Sequence, residues 1–176
     1  MKLIIIKSHI KDALSAIERA GGEGLNLPIL KNFLLETSAG KVRFAATNLE
    51  VAVSITVPAK IIQEGSLTVP MGVFSSLINN LQTERLNLEK KGNSLRVTTE
   101  NYEATIQGLP ASEFPLIPKI EDGKNYIEIK GELFKEAMGQ ALAAAQFSEL
   151  RQELNNILLN FSLETLKFVA TDSFRL

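Results

Sequence analysis

Residues 30–50 and 154–174 carry one pattern twice. At a constant offset of 124 positions and without a gap, Leu30, Asn32, Leu34, Leu35, Ser38, Phe44, Ala46 and Thr47 recur as Leu154, Asn156, Leu158, Leu159, Ser162, Phe168, Ala170 and Thr171. Eight identities in 21 positions, where unrelated segments share roughly one or two, mark a duplicated structural unit. At the same offset the apolar stripe Ile10, Ala13, Leu14 and Ile17 falls on Phe134, Ala137, Met138 and Ala141, so both copies open with the same amphipathic helix. The first copy continues for about seventy residues past Thr47, and the second runs only as far as Leu176. The expectation is a complete domain over 1–118 and the first part of a second over 119–176.

Hydrophobic periodicity fills in the elements. Lys2 to Lys7 reads as an isoleucine-rich strand, with Ser8 as the N-cap of a helix whose apolar residues recur at i, i+3, i+4 and i+7 and which ends near Gly21 and Gly22. Leu30 to Thr37 and Lys41 to Thr47 read as a hairpin turning at Ser38, Ala39 and Gly40, and Val51 to Val57 alternate as a further strand stopped by Pro58. After a short strand at Ser66 to Val69, Pro70 starts a second helix with Phe74, Leu77, Ile78 and Leu81 on one side. Three alternating segments follow, at Arg85 to Glu89, Leu95 to Thr99 and Tyr102 to Gln107. Gly108 to Lys119, with Pro110, Pro115 and Pro118, reads as an extended connector. Beyond it, Tyr126 to Lys130 is expected as the second copy's first strand, Gly131 to Ala145 as its helix, and Asn155 to Ser162 with Thr165 to Thr171 as its hairpin. The fold class is α+β: in each copy two helices pack on antiparallel strands, with the second copy truncated.

Composition narrows the function. A formal net charge of −1 is unlike a protein that grips nucleic acid by bulk electrostatics. With no cysteine and one histidine, His9, neither a thiolate site nor a histidine metal cluster can be built. Gly21-Gly22-Glu23-Gly24 lacks the lysine of a phosphate-cradling loop, and no serine lies in a G-x-S-x-G elbow. Carboxylates are scattered singly. The run Leu3 to Ile6 is too short for a signal-peptide core or a membrane span. The reading is a non-catalytic protein without cofactor or metal, expected in the cytoplasm and not at a membrane.

Leu27-Pro28-Ile29-Leu30-Lys31-Asn32, Thr47-Asn48-Leu49-Glu50, Val69-Pro70 with Phe74 and Leu77, and Leu109-Pro110-Ala111-Ser112-Glu113-Phe114-Pro115 stand in the order and spacing of the bacterial DNA polymerase III beta subunit family, the replicative sliding clamps. The second copy adds Arg151-x-x-Leu154 and Val169-Ala170-Thr171-Asp172-Ser173-Phe174-Arg175-Leu176, which resembles the family's V-A-T-D-G-H-R-L. The resemblance covers the whole chain. It implies a duplicated DNA-clamp domain from a subunit with three such domains, two subunits closing head to tail into a homodimeric ring around duplex DNA. It also implies sequence-independent DNA contact, processivity for the DNA polymerase III catalytic subunit, and loading by a clamp loader.

The resemblance further assigns residues. Lys7, Lys11, Arg19 and Arg151 are the candidate DNA-facing cations, with Lys7, Lys11 and Arg19 equally readable as an ordinary solvated helix face. Leu154, Thr171, Ser173, Phe174, Arg175 and Leu176 form one wall of a pocket for a partner's apolar peptide. Tyr102, Ala104 and Ile106, on the last strand before the connector, belong to the subunit interface. Ser173 and Phe174 stand where the family has glycine and histidine, and Gly24 and Gly72 where relatives often carry arginine. The Thr47-Asn48 and Thr171-Asp172 pairs also suit a strand-closing turn, in which short polar side chains bond the local backbone. A reading from another class is a tandem-repeat protein-interaction module with no DNA partner.

Overall fold

Five isoleucine-rich residues, Lys2–Ile6, form β1, with Leu3 and Ile5 buried on one side and Lys2, Ile4 and Ile6 on the other. Such a strand needs partners along both backbone edges. It has them in β5 (Lys60–Gln63) and β7 (Arg85–Lys91), both antiparallel. The computed structural model describes residues 1–22, 27–118, 126–145, 150–162 and 164–175. The chain divides into two compact units, Met1–Lys119 and Ile120–Leu176.

In the first unit, β8 (Ser94–Thr98) and β9 (Glu103–Gln107) extend the sheet to the order β5-β1-β7-β8-β9. A second sheet, β4-β3-β2-β6, comprises β2 (Asn32–Ser38), β3 (Lys41–Thr47), β4 (Ala52–Pro58) and β6 (Gly65–Pro70). The hairpin β2–β3 turns through Ala39 and Gly40 at φ 47° and 76°, the two left-handed residues that a tight twisted hairpin requires. The sheets meet where Thr68 of β6 bridges Leu109, just past β9.

Helices α1 (Lys7–Ile17) and α2 (Met71–Asn80) bring Ile10, Leu14, Ile17, Phe74 and Ile78 into a core shared with both sheets, where Phe33 packs against Phe44 and Phe74 at ring-centroid distances of 5.7 and 5.3 Å. The apolar stripes of both helices are buried, with Leu77 half-buried, in a core that both sheets share.

Several local expectations are corrected. Lys7 is the first helical residue, the N-cap position belongs to Ile6, and Ser8 lies inside the helix without capping it. Pro70 precedes α2 rather than opening it. Leu30 belongs to a 3-10 turn, Pro28–Lys31, that ends where β2 begins. Strand β5 was not foreseen: Ile61 and Ile62 stand between two edge-marking residues, Pro58 and Gly65, in too short a stretch to show alternation.

The second unit holds α3 (Gly131–Leu142) and an antiparallel hairpin of β10 (Leu158–Phe161) and β11 (Leu166–Val169). Its contact between helix and hairpin is an edge-on ring pair, Phe134 and Phe168, at 5.5 Å. The expected strand at Tyr126 to Lys130 is not formed. Its counterpart β1 is held between two strands, whereas the second unit's described strands pair only with each other, and an unpaired strand leaves its backbone groups to water. Tyr126, Ile127 and Ile129 are accordingly exposed. Among the described apolar residues of this unit only Ala170 is buried, and Leu159 is 44% exposed where its counterpart Leu35 is fully covered.

Candidate functional site

The end of β3 shows what the repeated Thr-Asx pair does. Thr47 Oγ1 accepts the Leu49 N–H at 2.9 Å, and Asn48 Oδ1 accepts the N–H groups of Glu50 and Val51 at 3.0 and 2.7 Å. With its amides satisfied by side chains, the chain reverses through Leu49 at φ 78°. The second copy repeats these three bonds. Thr171 Oγ1 accepts the Ser173 N–H at 3.0 Å, Asp172 Oδ1 accepts those of Phe174 and Arg175 at 2.9 and 2.7 Å, and Ser173 sits at φ 73°. The turn reading therefore holds in both copies.

Asp172 adds a charge that Asn48 lacks. Its Oδ2 accepts from Arg175 Nε at 2.9 Å and lies 2.8 Å from Nη2, so the turn clamps the arginine by a two-pronged pair. The Phe174 N–H, the Arg175 guanidinium and the Arg175 N–H, in that order, pull the Asp172 carboxyl down to about 2. Asp172 is 9% exposed, while Ser173, Phe174 and Arg175 project outward, Phe174 at 93%. Leu154 and Thr171 are half-buried, and Leu176 lies outside the described residues. The sequence pointed to Asp172 as a turn residue through its alignment with Asn48, but not to its ion pair with Arg175.

Two of the residues read as DNA-facing have other engagements. The Lys7 ammonium donates to the Leu81 carbonyl, at the C-terminal end of α2 where backbone acceptors lack helical partners. Arg151 donates from Nη1 to Ser173 Oγ at 3.4 Å, which joins it to the turn. Lys11 and Arg19 are exposed, but so are Asp12 and Glu18 beside them. The exposed residues of α2 are Gly72, Val73, Ser76, Asn79 and Asn80, without a charge. These helix faces are close to neutral.

Among the described residues strand β9 is an edge of the five-stranded sheet, paired with β8 on one side. Tyr102 is exposed and Ala104 half-buried, but Ile106 points into the core, because inward positions of this short strand alternate with Glu103, Thr105 and Gln107. Ile106 thus offers the edge its backbone and not its side chain. Arg96 Nη2 donates to Glu103 Oε2 at 2.6 Å, which holds the Glu103 carboxyl below the usual range, and Ser94 Oγ donates to Gln107 Oε1 at 2.7 Å. The polar groups guarding the edge are tied to β8.

Comparison with known proteins gives these features a context. Residues 1–118 match the family model of the DNA polymerase III beta subunit, N-terminal domain. Over its full length the chain is 30% identical to the beta sliding clamp of Synechocystis sp. and 29% identical to that of Vibrio cholerae, covering 47% and 48% of those proteins. The DNA polymerase sliding clamp of Bacillus subtilis superposes with a TM-score of 0.93 at 24% identity, and the DNA polymerase III beta subunit of Thermotoga maritima with 0.83 at 29%. In each case 98% of this chain is covered, so it spans about half the length of the relatives it matches. The tandem-repeat interaction module gains no support from these likenesses.

Proposed function

Since this chain belongs to the DNA polymerase III beta subunit family, we propose that it acts as part of a replicative sliding clamp, a non-catalytic ring that encircles duplex DNA in the cytoplasm. The observation that carries this reading is the duplication itself: one unit is written twice, down to the same Thr-Asx turn, and a ring is closed from such repeats. Near-neutral helix faces suit the task. A protein that holds DNA by enclosure must release phosphates as readily as it meets them, and each strong phosphate contact would oppose sliding. Lys11 and Arg19, set among Asp12 and Glu18, supply weak and sequence-blind attraction.

The edge of β9, with Tyr102 and Ala104 beside it, is the surface for head-to-tail closure with a second subunit, since an unpaired sheet edge is a template for pairing. Leu154, Thr171, Ser173, Phe174, Arg175 and Leu176 form one wall of the pocket that receives an apolar peptide of the polymerase catalytic subunit or the clamp loader. Within that wall Asp172 fixes Arg175, and Arg151 steadies Ser173.

The test uses the product of the gene that encodes this sequence, loaded by a clamp loader onto nicked circular DNA. Retention through a high-salt gel-filtration column, followed by loss when the circle is cut, is the expected result. Salt-sensitive binding that is equal on circles and linear duplexes would refute enclosure.

A further inference from the structure

The outward side of β1 carries an apolar groove with a cationic rim that neither the DNA face, the subunit edge nor the peptide wall uses. Its floor is Ile4, Ile6, Pro58 and Ala59, with a volume of about 500 Å³, within the range of ligand-binding clefts. His9 closes one end, donating from Nδ1 to the Pro58 carbonyl at 3.2 Å. Lys60 and Arg85 line the groove, both exposed. Neither forms an ion pair among the described residues, whereas Lys2 on the same side of β1 is paired with Glu89. No carboxylate lines the groove, in a chain whose net charge is −1.

The register sets the spacing of the two cations. Ile4 stands opposite Lys60 of β5, and Ile6 opposite Arg85 of β7, so the cations flank β1 on opposite sides and two residues apart. Two strand spacings of about 4.8 Å and a two-residue rise of about 6.7 Å separate their backbones by roughly 12 Å. An extended peptide rises about 3.3 Å per residue and turns alternate side chains to one side, so carboxylates four positions apart lie about 13 Å apart with the middle residue facing the same way.

We infer that this groove docks an extended acidic peptide of a partner protein, of the form Glu-x-Leu-x-Glu, its leucine on Ile4 and Ile6 and its two carboxylates on Lys60 and Arg85. The site is independent of the ring and DNA assignments. Apolar burial supplies attraction, and the two charges select the partner and its direction.

The probe is fluorescein-labelled Gly-Glu-Ser-Leu-Ser-Glu-Gly, titrated with the 176-residue chain and read by fluorescence anisotropy. Saturable binding is expected, weakened about ten-fold when glutamine replaces both glutamates. The double variant Lys60→Glu with Arg85→Glu, at two exposed positions, loses the acidic probe by a similar factor and gains a probe with lysine in place of glutamate. That gain cannot come from misfolding. Absence of saturable binding to the parent chain would overturn the proposal, as would equal affinity for the glutamine probe or no change in the double variant. Self-association of the chain that disappears in the double variant would give the groove to a second copy and overturn it likewise.

Discussion

Gly108→Ala is a one-carbon change that the first unit cannot absorb. A Cβ at this position falls 2.1 Å from the Thr68 carbonyl oxygen and 3.0 Å from that of Asn93, against 3.4 Å for ordinary contact. Both obstacles are backbone, and Thr68 is held in the pairing of β6 with β2, so relief requires the chain around 108 to retreat by more than an ångström. Retreat breaks the Gly108 N–H bond to Asn93 at 2.8 Å and both backbone bonds between Thr68 and Leu109, at 3.1 and 3.2 Å. Three bonds at a net ~1 kcal/mol each give about 3 kcal/mol, which is also the upper end of ordinary overpacking costs. With a urea dependence of about 2 kcal/mol per molar, the midpoint of the first unit's unfolding should fall by about 1.5 M. Gly72→Ala, with open space around its Cβ, is the matched control and should be neutral or stabilising by up to about 1 kcal/mol. A shift below about 0.5 M for Gly108→Ala, or equal shifts for both variants, would refute the argument that the two sheets are joined by this close approach.

Asp172→Asn should keep the turn, because Asn48 makes the same two backbone bonds in the first copy, while Asp172→Ala should lose it; amide exchange at Phe174 and Arg175 distinguishes the two. The Asp172 carboxyl is lowered from 3.8 to about 2, so its stabilising contribution is fully present above about pH 4 and disappears as pH falls through about 2, visible as loss of Arg175 amide protection over that window and not at pH 5 to 6. Lys7→Met keeps the aliphatic stem but strips the cation from the end of α2, and should cost about 1 kcal/mol in urea unfolding while leaving the salt slope of DNA association unchanged; a slope reduced by about one unit would return Lys7 to the DNA face. Limited proteolysis should consume the second unit before the first and leave a fragment near residues 1–118, since Leu133, Leu158 and Phe161 are each more than half exposed; survival of the intact chain would contradict this.

The hairpin β2–β3 and the two core helices were legible because each element's own residues decide it: alternation for one, a 3.6-residue stripe for the others. Where an element exists only through its neighbours, the sequence could not announce it. Ile61 and Ile62 become a strand because β1 offers an edge, and Tyr126 to Lys130, with equal strand propensity, forms none because no strand is placed beside it among the described residues. The fate of the duplicated apolar residues makes the same point. Leu35 and Phe44 are sealed in a core drawn from two helices and both sheets, whereas Leu159 stays 44% exposed and Phe168 packs on Phe134 of α3, so the same repeated positions give a core in one unit and a half-covered face in the other.

Charge was harder to read than burial, for a physical reason. A lysine on a helix face advertises solvent and phosphate, but the Leu81 carbonyl that engages Lys7 lies 74 residues away, and no periodicity links them. Arg151 and Ser173, 22 residues apart, are likewise joined only by the fold. The Thr-Asx pair was readable because its bonds span two or three residues. Electrostatic roles set by local backbone are therefore visible in the text, and those set by tertiary contact are not. The same distinction explains why Lys60 and Arg85 carried no signal in the sequence: their meaning arises only when β1 is inserted between them, leaving two cations without an ion pair among the described residues across an isoleucine floor.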